Sequence, residues 1–146
     1  MSPIADLTRQ APRSPRLRLG GYAILARTAD KGRATLAGKS GEYHFDCPVD
    51  NILFGFKGVK GDEFKKVLAA GTPDAGVLAW INAHGTAKTP EEIKAWSDQV
   101  EALRPYGNPP QKEWFGGECA RLKIDPTSTT LFDYLEEDDR QTFPRK

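Results

Sequence analysis

One cysteine, one histidine and three carboxylates fall together in the run Glu42-Tyr43-His44-Phe45-Asp46-Cys47-Pro48-Val49-Asp50. Proline suits the first turn of a helix, where its missing N–H would have no helical partner anyway. Pro48 therefore predicts a helix start, with Cys47 at or next to the cap. Unpaired N–H groups and the helix dipole at such a start favour a thiolate, the attacking form of cysteine. His44 precedes Cys47 by three residues and could act as base or orienter. Asp46 could orient the imidazole or simply cap the helix. His44 and Cys47 are thus the candidate catalytic pair. The competing account is that Cys47 packs as a small hydrophobe, the usual fate of a free cysteine.

A second constellation centres on Arg33. It falls near the middle of the apolar stripe that Tyr22, Ala26 and Ala29 draw at helical spacing, with Asp30 flanking the same side. A guanidinium aimed at a core needs a carboxylate or an anionic ligand, because an unpaired buried charge costs several kcal/mol. Asp30, Asp50 and Glu42 are the candidate partners. One reading is an internal ion pair that fixes helix register. The other is a receptor for a carboxylate or phosphate, helped by Arg27, Lys31 or the arginines of the N-terminal arm. On that reading Tyr22, Arg27, Asp30, Arg33, Tyr43 and Asp50 are the candidate ligand-binding residues.

Other chemistries find less support. His44, Asp46, Cys47 and Asp50 lie close in sequence, but a closed zinc site wants four well-spaced Cys/His ligands. No metal and no cofactor are expected. His84 sits at a helix end, where partial positive charge is favourable anyway. Gly20-Gly21 and Gly116-Gly117 follow no strand and precede no Gly-Lys-Ser/Thr, so neither is a phosphate loop. Trp80, Trp96 and Trp114 share helical spacing with aliphatics and read as core before ligand surface.

The elements that must position these residues all carry the helical period. Tyr22, Leu25, Ala26, Ala29, Leu36 and Ala37 predict a first helix over about 22–37, ended by Gly38 and Gly41. The stretch 42–46 could be extended but has no evident mate. From Pro48, the residues Val49, Ile52, Leu53 and Phe56 stripe a second helix, closed by Gly58 and Gly61. A third runs from about Asp62 to Ala70 and stops at Gly71. Thr72-Pro73 reads as a cap and first-turn proline before Val77, Trp80, Ile81 and His84. Thr89-Pro90-Glu91-Glu92 is a full capping box for a helix burying Ile93, Trp96, Val100 and Leu103. A sixth, from about Pro110 to Leu122, is weakened by roughly 1 kcal/mol at each of Gly116 and Gly117. The last, about Thr129 to Asp138, buries Leu131, Phe132 and Leu135. No run has the strand period of two. The fold class expected is all-α: a compact single domain of six or seven short helices with an extended N-terminal arm.

With 146 residues, 38% hydrophobic and 28% charged, the chain has the length and apolar content for one self-sufficient core. Three Trp and seven Phe supply its anchors, which rules out a disordered chain. No apolar run reaches the roughly 20 residues of a membrane span, and the N-terminus lacks a signal-peptide core. Cys47 and Cys119 make no disulfide framework, so a reduced cytoplasmic setting is expected. The near-neutral total hides an asymmetry: residues 1–40 hold eight Lys/Arg against two Asp, while Asp133 and Glu136 to Asp139 make the far end acidic. Residues 1–19 form a Pro-punctuated arm (Pro3, Pro12, Pro15) carrying Arg9, Arg13, Arg16 and Arg18, followed by a helical domain over 20–146. The arm could lie along phosphates, but nucleic-acid binders show a net basic balance that this chain lacks. It is expected instead to wrap its own domain and meet the acidic end.

Leu19-Gly20-Gly21-Tyr22, Arg27, Asp30-Lys31-Gly32-Arg33-Ala34, Gly41-Glu42-Tyr43 and Cys47-Pro48-Val49-Asp50 follow one another in an order that carries a likeness, as do Phe54, Phe56-Lys57-Gly58 and Val77-Leu78-Ala79-Trp80. From Pro12 to about Trp96 the chain resembles a bacterial family known only as domain of unknown function 5069. The resemblance implies a soluble cytoplasmic bacterial protein in one domain, and it brings no activity to any residue.

The function expected from these residues is binding or conversion of an anionic small metabolite in a polar pocket near Arg33 and the Tyr43–Asp50 segment. The alternative is an interaction module or homodimer that uses the basic arm without catalysis. Whether the chain is an enzyme stays open here, as does the choice between monomer and homodimer. Neither nucleic acid nor membrane is an expected partner.

Overall fold

The computed structural model describes residues 4–143. Residues 1–3, which include Pro3 of the arm, and 144–146, the end of the helical domain, lie outside the described residues. Seven α-helices follow one another among the described residues: α1 (Leu25–Leu36), α2 (Pro48–Lys57), α3 (Gly61–Ala69), α4 (Asp74–Ala83), α5 (Pro90–Glu101), α6 (Pro109–Leu122) and α7 (Leu131–Thr142). A 3-10 turn, Pro105–Gly107, precedes α6. No strand occurs among the described residues, and the fold is all-α.

α1 is the hub. Every residue from Leu25 to Ala34 is buried, including Arg27, Asp30, Lys31 and Arg33. It packs on α2, α3 and α4, and Gly32 lets α3 come close: a Cβ there would stand 2.3 Å from Leu68 Cδ1. Around the hub sit Tyr22, Phe54, Phe64, Ile81, Phe115 and Phe132, all enclosed. Phe54 and Phe64 meet edge to face at 5.4 Å, and Phe45 closes the cluster at 6.0 and 6.2 Å. Each enclosed ring is worth about 1.5–3 kcal/mol over leaving it in water.

The first helix starts at Leu25, three residues later than its stripe predicts. Leu19 and Tyr22 exchange backbone hydrogen bonds across Gly20 and Gly21, both at positive φ, so Tyr22 belongs to a tight turn. Ile24 then adopts φ +74°, and the Leu25 N–H donates to the Ala23 carbonyl at 2.8 Å in a γ-turn. A β-branched residue there stores about 1–3 kcal/mol of strain. Its complete burial and the bond from its N–H to the Pro15 carbonyl hold it. At the other end Leu36 emerges into solvent rather than continuing the apolar face.

Other boundaries shift for local reasons. Pro73 is the cap of α4, not its first residue: its carbonyl accepts from Val77 N–H, while the Thr72 carbonyl is taken by Arg33. The 42–46 stretch is a turn, with Asp46 at φ +63°. α7 begins at Leu131, two residues beyond the predicted Thr129, and runs on to Thr142. Its cap is a Thr130–Asp133 box, in which each residue's side chain accepts the other's backbone N–H. Thr89 and Glu92 form the corresponding box on α5.

Residues 4–19 lie against the helices. Leu7, Pro12 and Pro15 are buried. Arg16 pairs with Asp133 and Glu136 of α7, and Arg18 with Asp98 and Glu101 of α5. Arg13 bonds Asp30 and Asp74.

Candidate functional site

The charged residues of α1 leave the helix in different directions, and each grips another segment. Arg27 makes a two-pronged bond to Asp139 of α7 at 2.8 and 3.2 Å. Asp30 holds Arg13 of the arm at 2.9 Å. Arg33 reaches Asp74 of α4 at 2.9 Å and the Thr72 carbonyl at 3.0 Å. Lys31 reaches Asp50 of α2 at 2.9 Å. The partner of Arg33 is thus Asp74 rather than Asp30, Asp50 or Glu42, because packing of α4 on α1 brings in a carboxylate 41 residues away. The Arg27–Asp139 and Lys31–Asp50 pairs are enclosed on both sides, so removing one partner there strands a charge, which costs about 3–5 kcal/mol in a buried pair.

Lys31 does more than pair. Its ammonium also donates to Cys47 Sγ at 3.1 Å. Only 5% of the Lys31 side chain meets solvent, and none of Asp50 does. Asp50 is pinned in turn: it accepts from Thr28 Oγ1 at 2.7 Å, from Asp46 N–H at 2.9 Å and from Cys47 N–H at 3.4 Å. Asp50 thus caps α2 from its first turn and anchors the lysine beside the sulfur. Cys47 stands at the cap position, directly before Pro48, and is half-buried.

Cys47 lines a cavity of about 320 Å³ between α1, the Glu42–Val49 segment, α6 and α7. Arg27 and Lys31 form its basic side. Tyr43, Trp114 and Tyr134 supply aromatic walls, Val49, Leu131 and Leu135 aliphatic ones, and Glu42 and Asp138 add acidic groups. The volume lies at the lower end of the range for small-molecule sites, and a largely apolar wall with a few polar groups is their usual make-up. Tyr43 donates to Asp139 at 2.7 Å, and the Arg27 guanidinium lies 5.6 Å from the centre of its ring. Burial first, and that hydrogen bond second, push the Tyr43 hydroxyl well above the ordinary tyrosine range. Tyr134 is raised in the same way, by burial and by its bond to Glu118.

The eight candidate residues divide. Arg27, Tyr43, His44 and Cys47 line this cavity, and Asp50 stands directly behind it on Lys31. His44 is exposed and makes no hydrogen bond to the sulfur among the described residues; the sulfur's neighbour is Lys31. Tyr22 is enclosed in the core, its hydroxyl donating to Asn82 at 2.7 Å. Asp30 is engaged with Arg13. Arg33 borders a different hollow, beside Leu36, Leu68 and Thr72. The arrangement missed in the sequence is Lys31 with Trp114 and Tyr134. Lys31 sits one residue after Asp30 on the same helix, and its spacing to Cys47 carries no helical or strand register that would join them.

Cys119 offers the contrast. It is enclosed in the core, and burial pushes its thiol up. Among the described residues no three His, Cys, Asp or Glu come together as a metal site. No helix there is long and apolar enough to cross a membrane.

A family model described as a domain of unknown function (DUF5069) matches residues 9–141. The match extends through α6 and most of α7, well past Trp96, where the likeness legible in the sequence stops. No curated protein matches the chain.

Proposed function

We propose that this chain, which belongs to that family, binds an anionic small metabolite in the cavity beside Cys47 and converts it by thiol attack. The observation that carries the reading is the 3.1 Å contact from the Lys31 ammonium to Cys47 Sγ, at a helix start and on the wall of a cavity. A sulfur held at a helix start, fixed by a hydrogen bond from an ammonium and facing a cavity, is positioned to attack a molecule bound there.

Arg27 and Lys31 have hydrogen-bonding capacity beyond their internal bonds. Arg27 Nε bonds to nothing among the described residues, and Lys31 has a third N–H after Asp50 and Cys47 are counted. Those donors suit a carboxylate or phosphate, while Trp114, Val49 and Leu135 suit an apolar body. Glu42 and Asp138 repel an anion, so the charged end is directed to the Arg27–Lys31 side. His44 remains available for proton exchange with the bound molecule. A cytoplasmic setting belongs to this reading, since two free thiols suit a reducing compartment. The interaction-module reading draws less support, because Arg13, Arg16 and Arg18 are already paired within the chain.

Alkylation of the folded protein by iodoacetamide tests this. Cys47 is expected to react faster than Cys119 by on the order of tenfold or more, and Lys31→Met to slow it. Inorganic phosphate at millimolar concentration should protect Cys47 by occupying the donors. A Cys47 inert until the protein is unfolded removes the reading.

A further inference from the structure

We propose that Lys31 and Cys47 are a site of oxidative cross-linking, in which peroxide joins Nζ to Sγ as a sulfenamide. The inference rests on the reading of Cys47 as a reachable, reactive thiol, and not on any bound metabolite.

Three observations lead to it. Cys47 is half-buried on a cavity wall, so a small oxidant reaches the sulfur. Cys119, the other cysteine, is enclosed in the core and does not pair with it, so no second thiol stands by to resolve an oxidised Cys47. The nearest nucleophile is the Lys31 nitrogen at 3.1 Å, on a side chain that burial and Asp50 hold in place. A sulfenic acid without a thiol partner condenses with a nitrogen that can reach it.

The chemistry closes on groups already present, with a peroxide as the oxidant. The sulfur first takes one oxygen from hydrogen peroxide: the O–O bond breaks, an S–O bond forms, sulfur gives up two electrons and water leaves. The Lys31 ammonium then passes a proton to the Asp50 carboxylate 2.9 Å away. The freed nitrogen lone pair forms an N–S bond as the S–O bond breaks. The departing hydroxide takes a second proton from the nitrogen and leaves as water. The product, Lys–NH–S–Cys, ties α1 to the start of α2. It removes both the cation and the nucleophile from the cavity, and a thiol reductant reverses it by attack on sulfur.

The experiment is peroxide treatment of the folded protein, digestion without reductant, and mass spectrometry of the peptides. The expected product joins the peptides of Lys31 and Cys47, two hydrogens lighter than their sum, with tryptic cleavage after Lys31 blocked. Dithiothreitol should restore both peptides. Lys31→Arg should give no cross-link and a sulfenic acid trapped by dimedone. A wild-type Cys47 that goes on to sulfinic acid with Lys31 still cleavable overturns the proposal. So does a joined product heavier by one oxygen, which requires a different route. Rapid alkylation without cross-linking sinks this inference and leaves the proposed function standing. A Cys47 inert to both iodoacetamide and peroxide sinks both.

Discussion

Arg33 Nη1 and Asp74 Oδ1 stand 2.9 Å apart across 41 residues of sequence, and this bond ties the hub helix to the start of α4. Asp74 also takes Arg13 at 2.8 Å, so one carboxylate serves two guanidinium groups. Removing the acceptor strands more than removing one donor does. Asp74→Ala is expected to cost about 2–3 kcal/mol, below the fully buried figure because that side chain is 29% exposed. Arg33→Leu, which keeps apolar bulk and leaves Asp74 its bond to Arg13, should cost clearly less. Urea unfolding of the two variants decides, and a larger loss for Arg33→Leu overturns the ranking.

The same carboxylate sets an acid limit. Hydrogen bonds from Arg13, and then from Arg33, hold Asp74 below the ordinary carboxylate range in the folded protein. A depressed acid adds stability above its unfolded value, about 4, and that stability is lost as pH falls through the lower folded value. Unfolding free energy should therefore fall as pH drops below about 4. Asp74→Asn should be less stable at neutral pH and show a shallower decline. Denaturant titrations at stepped pH measure both slopes.

How far the sequence could be read follows the range of the forces involved. Pro48 and the Thr89–Glu92 box are local signals, and the helices start there. The Thr130–Asp133 box went unread because an aspartate stands where a glutamate usually marks it. At helical spacing α1 shows one apolar stripe, which puts Arg33 on the buried side and gives no sign of the partners that Arg27, Asp30 and Lys31 find across the fold. A single stripe assumes one side in water. Here the arm, α2, α3, α4 and α7 cover every side, and the acids that meet it arrive from Asp50 to Asp139, beyond any local pattern. Cys47 was legible through Pro48, whereas Lys31 beside it was not.

The cap on α7 gives a direct check on a feature the sequence hid. Thr130→Ala removes the acceptor for Asp133 N–H, which lies 3.1 Å from the hydroxyl. It should cost about 1 kcal/mol, close to Thr89→Ala on α5. Thermal melts of the two variants side by side should shift by similar amounts. An unchanged melting temperature for Thr130→Ala shows that α7 is held by packing alone.

Tyrosine ionisation reports on three rings, Tyr22 in the core and Tyr43 and Tyr134 on the cavity wall. Burial raises Tyr22, and burial with a carboxylate bond raises Tyr43 and Tyr134. A group raised in the folded state adds stability that is complete below its unfolded value, about 10, and is lost as pH rises through the folded one. Phenolate absorbance from these rings should thus appear together with unfolding above pH about 10. Tyr43→Phe should lower the amplitude of that step. Smooth titration of Tyr22, Tyr43 and Tyr134 while the helical signal persists contradicts the burial of these rings.

Trp114 separates what the cavity needs from what the fold needs. Half of its surface meets solvent, and it touches Tyr134 edge to face at 5.7 Å. Trp96, by contrast, is buried and stacked on Phe56 at 4.6 Å. Trp96→Ala should cost about 3–5 kcal/mol, the usual loss for a buried aromatic, and Trp114→Ala much less. If Trp114 is a wall for an apolar body, its loss should show in the choice of reagent at Cys47. An aromatic contact is worth about 0.5–1.5 kcal/mol, so Trp114→Ala should lower the rate of N-phenylmaleimide relative to iodoacetamide by roughly 2- to 10-fold. Both reagents attack the same sulfur, so a change in the thiol itself moves the two rates together. An unchanged ratio in a folded variant means that molecules reaching Cys47 do not use that wall.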